Sequence, residues 1–428
     1  MSDIQPAGNT GLAAEFQAML SNVRERDVNT MSLKLANMIL RHAILLGASD
    51  IHFDPKHETT ILRFRIDGLL KDQLTYPKNT LPIVAALRVA AGFPPKAAVA
   101  YTPEDGRFEF IIDGRSVQFR VSSFPSILGD KLVLRLLDLH KTAPSLGHLG
   151  FSAPQLAQIN KITRQPSGLF IVSGMTGCGK STTLNCILGE LSRPELNIMT
   201  LEDPVEYVLP RVTHAQINYR AGFGFAEGLR CILRQDPNII LLGEIRDAET
   251  AETAIRAALT GHLLLSTVHA PSSVGVIHRL KCMNVEPFLL ASSLLGVMSQ
   301  RLVRLLCPAC SEAAGPDPDF IKGLETVRDP AQSHRALSLL KQQGGNFRKA
   351  KGCPACGMTG YKGRTVVSEL LPIGDTLRSV ISGKETDIVE LKKAAEKSGM
   401  QPLLCDALDK AAQGLTSLEE VSRVVSES

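Results

Sequence analysis

The chain has 428 residues, 44% of them hydrophobic, and its formal net charge is +4 because 47 Lys and Arg nearly balance 43 Asp and Glu. This length predicts about two to four domains, and the near balance of charge excludes a protein that coats nucleic acid through a large basic excess. Residues 1–30 lack the charged start and apolar stretch of a signal peptide. The longest mostly apolar stretch, residues 288–298, is too short to cross a bilayer. We therefore expect a cytoplasmic protein.

The first third of the chain predicts a small α+β domain. Residues 1–30 show no sustained periodicity, which predicts a flexible N-terminal segment or a short helix. Residues 32–46 show a helical apolar face, and residues 60–66 then show strand-like alternation that ends at the turn residues Asp67 and Gly68. Residues 107–122 predict a hairpin with Asp113 and Gly114 in its turn. These patterns assign residues 31–140 to the domain, and residues 141–150, which contain Pro and Gly, to a linker.

Residues 151–306 predict an α/β domain with a mostly parallel sheet. Apolar strands at 169–173, 197–202, 239–243 and 263–267 alternate with helical segments, as in folds with helices on both faces of a sheet. After about residue 287 the pattern turns helical. A segment containing Gly and Cys, residues 307–361, interrupts it, and residues 362–428 predict a helical C-terminal region.

Residues 174–181 fit the phosphate-loop pattern G-x-x-x-x-G-K-S. An apolar strand precedes the loop and a helix at 182–191 follows it, so the helix N-terminus would face the phosphates. Lys180 would reach the β- and γ-phosphates, and the Ser181 hydroxyl would ligate Mg²⁺. An ordinary glycine turn before a helix is the alternative. The nucleotide-binding residues that we predict are Gly174, Met175, Thr176, Gly177, Cys178, Gly179, Lys180, Ser181 and Thr182.

Two acidic residues follow predicted core strands, where ligands gather in such folds. Glu244 ends an apolar strand and fits a Walker B acid that supports Mg²⁺. Glu202 opens a segment with Asp203 and Glu206, and its carboxylate would orient or deprotonate the attacking water. The alternative for each is a helix cap or a surface position.

His262 and His269 bracket the predicted strand at 263–267. A histidine at a strand end can hydrogen-bond a γ-phosphate or can be a satisfied core residue. Arg230 and Arg234 lie four residues apart on one predicted helical face. They would pair with acids across an interface or form a solvated face.

Two C-P-A-C sequences predict a metal site. Cys307, Cys310, Cys353 and Cys356 would supply four thiolates, which suits tetrahedral Zn²⁺ in a closed structural site. Redox-active C-x-x-C is the competing interpretation, although no thioredoxin-like βαβ pattern surrounds either pair.

Taken together, these motifs resemble the secretion ATPase superfamily, which powers type II secretion and type IV pilus assembly. The resemblance covers about residues 48–420, and it implies a RecA-like P-loop domain preceded by a PAS-like domain. It implies that Glu202 is the catalytic carboxylate, that Glu244 is the Walker B acid and that His269 with His262 forms a His box. Arg107 and Arg120 resemble the arginine fingers of the family. The motifs lie at residues 48–52, 103–107, 120–122, 174–181, 202–206, 233–237, 243–247 and 260–269.

The resemblance also implies cofactors and partners. The cofactors would be ATP, Mg²⁺ and Zn²⁺. The protein would form a homohexameric ring without direct nucleic-acid contact. Its partner would be an inner-membrane platform protein, which would keep the ATPase peripheral at the inner membrane. The four cysteines and residues 283–304 resemble the assembly branch rather than retraction ATPases. The alternatives are a retraction ATPase, a nucleic-acid-translocating motor and a non-catalytic scaffold. Two departures from the family pattern are the short segment before the first domain and residues 270–272 after His269.

Overall fold

The computed structural model describes residues 5–6, 10–21, 28–78, 82–94, 102–137, 144–315, 320–322, 338, 340, 346–383 and 387–426. The chain divides into two compact units, Met1–Lys141 (unit 1) and Thr142–Ser428 (unit 2). Within the described ranges, no helix has both the length and the apolar character needed to span a bilayer.

Unit 1 is built on a seven-stranded sheet in the order β1-β4-β3-β2-β7-β6-β5, in which all neighbours are antiparallel. Its elements confirm the small α+β fold. They are β1 (Gln5–Pro6), α1 (Thr10–Ser21), α2 (Val28–Leu45), β2 (Asp50–Pro55), β3 (Thr59–Ile66), β4 (Leu69–Pro77), α3 (Ile83–Ala90), β5 (Glu104–Ile112), β6 (Arg115–Ser126) and β7 (Gly129–Leu137).

The alternation in the sequence produces this sheet. Leu62 and Phe64 in β3 and Phe119 in β6 are fully buried, because every second side chain of a strand points to the same face. Asp113 and Gly114 both have positive φ, 47° and 77°, between β5 and β6. That backbone is the one required at both central residues of a two-residue hairpin turn.

The N-terminal helix α1 belongs to the core of unit 1. Leu12 and Phe16 are 0% exposed, and the Phe16 ring lies 5.7 Å from the ring of Tyr76. Of the two alternatives for residues 1–30, the short helix is therefore confirmed and the flexible segment is wrong for residues 10–21. Leu12, Phe16 and Met19 recur at helical spacing, so this helix could have been predicted from the sequence. Residues 1–4, 7–9 and 22–27 lie outside the described ranges.

Unit 2 contains a second seven-stranded sheet in the order β10-β9-β11-β12-β8-β13-β16. All its neighbouring strands are parallel except β13 and β16. The predicted mostly parallel α/β fold is confirmed. Its first elements are α4 (Ala153–Thr163), β8 (Gly168–Ser173), α5 (Lys180–Leu191), β9 (Ile198–Glu202), β10 (Val212–Gln216), α6 (Phe225–Ile232), β11 (Ile239–Leu242), α7 (Ala248–Leu259), β12 (Leu263–Val268), α8 (Ser273–Cys282) and α9 (Pro287–Ser293).

The second part of unit 2 corrects the sequence prediction. The helix expected after residue 287 ends with α9, and the chain then forms a long strand, β13 (Leu294–Leu306). This strand pairs with β16 (Tyr361–Pro372), so the sheet extends beyond the predicted domain boundary at residue 306 and into the region predicted to be helical from residue 362. The remaining elements are β14 (Glu312–Ala313), β15 (Arg348–Lys349), α10 (Asp375–Ser382), α11 (Ile388–Lys397), α12 (Leu403–Ala412) and α13 (Leu418–Ser426).

The predicted linker is also corrected where it is described, at residues 144–150. Leu146 is 1% exposed within a hydrophobic cluster of unit 2. The Leu149 carbonyl accepts a 2.9 Å hydrogen bond from the Val366 backbone N–H in β16. These residues are therefore packed onto unit 2 and do not form a free connection.

Candidate nucleotide site

The phosphate loop lies between the carboxyl end of β8 and the start of α5. Gly174, Gly177 and Gly179 have φ values of 141°, 78° and 87°, a backbone region that glycine adopts readily. A Cβ atom at Gly174 would lie 2.5 Å from the Gln300 carbonyl oxygen, so this position has no room for a side chain. Helix α5 begins at Lys180, two residues earlier than predicted. The free N–H groups of its first turn therefore adjoin the loop, which fits a phosphate site.

Lys180 lies among the carbonyls of this loop and near two acids from other segments. Its Nζ donates hydrogen bonds to the carbonyls of Gly174 (2.9 Å) and Met175 (3.1 Å). Burial lowers the pKa of the Lys180 amine, and the nearby Glu244 and Glu206 oppose that change. No motif in the sequence marks Glu206 as a neighbour of Lys180.

Gln300 in β13 connects the loop to the helix that follows it. Its Nε2 donates to the Cys178 carbonyl at 2.8 Å, and its Oε1 accepts from the Thr183 hydroxyl at 3.0 Å. Gln300 is 0% exposed. The sequence pattern does not predict this contact, because residues 294–306 fall in a region that the pattern predicts to be helical.

Glu202, Glu244 and His269 all lie at the edge of the sheet that carries the phosphate loop. Strands β8, β12, β11 and β9 are consecutive parallel neighbours, so their carboxyl ends meet at one edge. Glu202 ends β9, Glu244 comes two residues after β11, and His269 directly follows β12. The predicted convergence of these three residues with the loop is therefore present in the fold.

Glu244 is the centre of a charged cluster. It forms an ion pair with Arg246, and its Oε2 lies 3.6 Å from His269 Nε2. Burial lowers the pKa of His269, the positive charge of Lys180 lowers it further, and Glu244 acts in the opposite direction. A neutral imidazole beside a carboxylate is suited to hydrogen-bonding a phosphate oxygen or a water.

Glu202 is 5% exposed and has a partner that the sequence analysis did not identify. Its Oε1 lies 3.0 Å from Nδ1 of His214, a residue of the neighbouring strand β10. No motif marks His214. Only the register of β9 against β10 brings the two side chains together.

His262 does not join this site, against the prediction. Its carbonyl accepts from the Gly168 N–H at the amino end of β8, and its Nδ1 lies 3.0 Å from the Ala257 carbonyl. It therefore lies at the opposite edge of the sheet, separated from His269 by the whole of β12, about 20 Å at the usual rise per strand residue. The alternative, a histidine with satisfied hydrogen bonds, describes it.

Four arginines from the sequence analysis lie at exposed positions. Arg107 and Arg120 are opposite each other in β5 and β6 of unit 1. Arg230 in unit 2 pairs with Glu227 and Glu249 of its own chain. Arg234 lies beyond the end of α6 at Ile232, so the two arginines do not lie on one face of this helix as predicted.

The four cysteines of the two C-P-A-C sequences form one cluster. Their Sγ atoms all lie within 4.8 Å of one another. The N–H groups of Cys353 and Gly360 donate to the Cys356 sulfur at 3.2 and 3.1 Å. Burial raises the pKa of the Cys356 thiol, but these hydrogen bonds bring it down to about 6. A group of four sulfurs that includes a stabilised thiolate fits a tetrahedral metal ion.

The fold is that of a P-loop α/β protein with a RecA-like core. The family model described as "Type II/IV secretion system protein" matches residues 25–423, and the chain belongs to this family.

Among curated relatives, the Type II secretion system ATPase E of Vibrio cholerae is 42% identical over 419 residues, which cover 97% of this chain and 79% of that protein. The Type IV pilus assembly ATPase PilB of Thermus thermophilus is 40% identical over 390 residues, 91% of this chain and 42% of that protein. These relatives confirm the resemblance to secretion and pilus assembly ATPases.

Solved structures show the same fold. The ATPase DotB of Legionella pneumophila has a TM-score of 0.67 at 22% identity, covering 92% of this chain and 95% of its own. The pilus retraction motor PilT with bound ADP has a TM-score of 0.58 at 25% identity, covering 90% of this chain and 96% of its own.

Proposed function

We propose that this protein hydrolyses ATP to power type II secretion or type IV pilus assembly. One observation carries the proposal: the phosphate loop lies at the sheet edge that also holds Glu202, Glu244 and His269. Relatives about 40% identical carry the names of secretion and pilus assembly ATPases, and the PilT structure contains ADP. The retraction motor PilT is the more distant of these, at 25% identity, which favours assembly or secretion over retraction.

We assign the residues of this edge as follows. Residues 174–182 bind the nucleotide, Lys180 binds its terminal phosphates, and Ser181 and Glu244 hold Mg²⁺, which neutralises phosphate charge when bound. Glu202 orients or deprotonates the attacking water. His269 hydrogen-bonds the γ-phosphate. Arg107 and Arg120 remain candidates for the arginine fingers of the family.

Family membership supports a proposal for the assembly. We propose a homohexamer that is peripheral at the inner membrane, acts on a platform protein and has no direct nucleic-acid substrate. The four-cysteine cluster would hold one Zn²⁺ in a structural module within residues 307–361. Unit 1 would be the N-terminal domain of the motor, and unit 2 would contain its ATPase domain.

Phosphate release from ATP by the purified protein tests the activity. We expect Lys180→Ala and Glu202→Gln each to lower turnover at least about 100-fold, the range for removal of a positioned catalytic group. Lys161→Ala, at an exposed position on α4, is the matched control and should retain wild-type turnover. Wild-type-like turnover in Lys180→Ala would refute the ATP site, and in Glu202→Gln it would refute the role of that carboxylate.

A further inference from the structure

The feature that suggests a further function is the pairing of the edge strand β10 with β9. His214 lies opposite Thr200 in the parallel register, and Glu202 is two residues beyond Thr200. Side chains two residues apart in a strand share one face. His214 Nδ1 therefore lies close to both neighbours, 2.9 Å from the Thr200 hydroxyl and 3.0 Å from Glu202 Oε1.

The contact of His214 Nε2 shows which ring nitrogen carries the imidazole hydrogen. The backbone N–H of Leu209 donates to His214 Nε2 at 3.1 Å, so Nε2 is an acceptor. A neutral imidazole has one donor and one acceptor nitrogen. Nδ1 therefore carries the hydrogen and donates it to Glu202 Oε1, close to the Thr200 hydroxyl.

The pair is shielded from solvent. The side chains of His214 and Glu202 are 8% and 6% exposed. A carboxylate in such a place needs a hydrogen-bond donor, and the donor also limits rotation of the carboxylate about its own bond. This is the arrangement by which a third group orients a catalytic base in other enzymes.

We propose that His214 is a positioning residue that orients the Glu202 carboxylate for ATP hydrolysis. The inference rests on the proposed function, because it requires Glu202 to act on the attacking water. His214 itself touches the carboxylate and the Leu209 backbone. Its hydrogen bond holds Oε1 and so fixes the direction of the other carboxylate oxygen, which is the one left for water.

Two substitutions separate positioning from a structural role. Each of them retains a polar atom at the position of only one of the two ring nitrogens. His214→Asn places an amide NH₂ where Nδ1 lies, and it loses the acceptor for Leu209. His214→Gln places an amide oxygen near Nε2, and it loses the donor to Glu202. Thr213→Ala, at an exposed position that faces the other side of the same strand, is the matched control.

We expect His214→Gln to lower kcat about 10–100-fold, the effect typical of removing a partner that orients a reacting group, with little change in ATP affinity. His214→Asn and Thr213→Ala should stay within about 3-fold of wild type. The opposite order, with His214→Gln active and His214→Asn impaired, would show that the Leu209 contact is what matters and would overturn the proposal. Thermal melting of every variant verifies folding.

A double-mutant cycle in single-turnover assays completes the test. If His214 acts through Glu202, His214→Gln adds no further loss in a Glu202→Gln background. A multiplied loss would overturn the proposal. Full activity of Glu202→Gln would overturn the roles of both residues. An inactive Glu202→Gln together with a fully active His214→Gln would overturn only the role of His214.

Discussion

The conformation of the phosphate loop depends on a residue about 120 positions away from it in the chain. Gln300 holds the Cys178 carbonyl and the Thr183 hydroxyl at once, from within a fully buried part of β13. A single buried side chain therefore supports both sides of the turn that carries Lys180.

We expect Gln300→Met to weaken both nucleotide binding and folding. The thioether fills a similar volume but leaves a buried carbonyl and a buried hydroxyl without this partner, at about 1–3 kcal/mol for each unsatisfied group. Isothermal titration with ATP and chemical denaturation measure the two effects. The exposed Gln158→Met on α4 is the control and should change neither. Wild-type ATP affinity in Gln300→Met would show that the loop does not need this support.

Among individual residues, the sequence predicts those whose functional neighbours are close in the chain. The spacing of residues 174–181 defines the loop, and an apolar run followed by an acid points to Glu244. His214 and Gln300 escape prediction because strand register brings them to their partners. His262 fails for a different reason: it precedes β12 and so lies at the amino end of that strand, whereas the phosphate loop lies at the carboxyl ends, and the chain order alone could have excluded it.

At the scale of elements, the alternating and apolar strands were predictable and the antiparallel pair β13–β16 was not. Strand β13 is mostly buried along its length and contains Ser299, Gln300 and Arg301 in its buried middle. A strand covered on both faces loses the period of two, so its apolar run is indistinguishable from a helix segment by pattern alone.

A buried carboxylate adds to the apolar packing of helix α13 on β13, and it makes the stability of this contact dependent on pH. Glu420 is 0% exposed and accepts hydrogen bonds from Arg304 and Arg423. Burial raises its pKa, but these two arginines together hold the pKa below the usual 4.5. A lowered folded-state pKa adds stability above pH 4.5, which disappears as the pH falls through the folded value.

Glu420→Gln should therefore cost about 1–3 kcal/mol at pH 7, since it removes the charge from a buried group that accepts hydrogen bonds from two partly exposed arginines. The difference from wild type should shrink as the pH falls below about 4.5. Urea denaturation at a series of pH values measures it. Glu419→Gln, the neighbouring acid in the first turn of the same helix, is the control. A difference independent of pH would contradict the role of the ionised carboxylate.

The four-cysteine cluster makes a separate prediction about metal. Elemental analysis should find about one zinc ion per chain, since four cysteine ligands complete a tetrahedral site. Cys353→Ser should lose the metal and lower thermal stability while retaining ATP binding. Cys282→Ser, at an exposed position outside the cluster, should retain it. Metal-free wild-type protein that is as stable as the metal-bound form would contradict a structural site.

At the scale of the whole molecule, net charge is the informative quantity. A formal charge of +4 on 428 residues gives little general attraction to nucleic acid. We expect the rate of ATP hydrolysis to be unchanged when duplex DNA is added at low salt. Stimulation that falls steeply with rising salt would instead indicate a nucleic-acid motor. Lys180→Ala, assayed in parallel, shows how much of the measured rate belongs to this protein.

The pairing of β13 with β16 also determines how the cysteine module is attached. Leu306 stands opposite Tyr361, and the Cys307 N–H donates to the Gly360 carbonyl at 2.8 Å, so the excursion leaves the sheet and returns to it at one point. The entropic cost of lengthening a loop with fixed ends grows only with the logarithm of its length. A change of length within this segment can therefore leave the paired strands, and Gln300 among them, in alignment, provided that Leu340 and Phe347 keep their places in the hydrophobic cluster with α12 and α13.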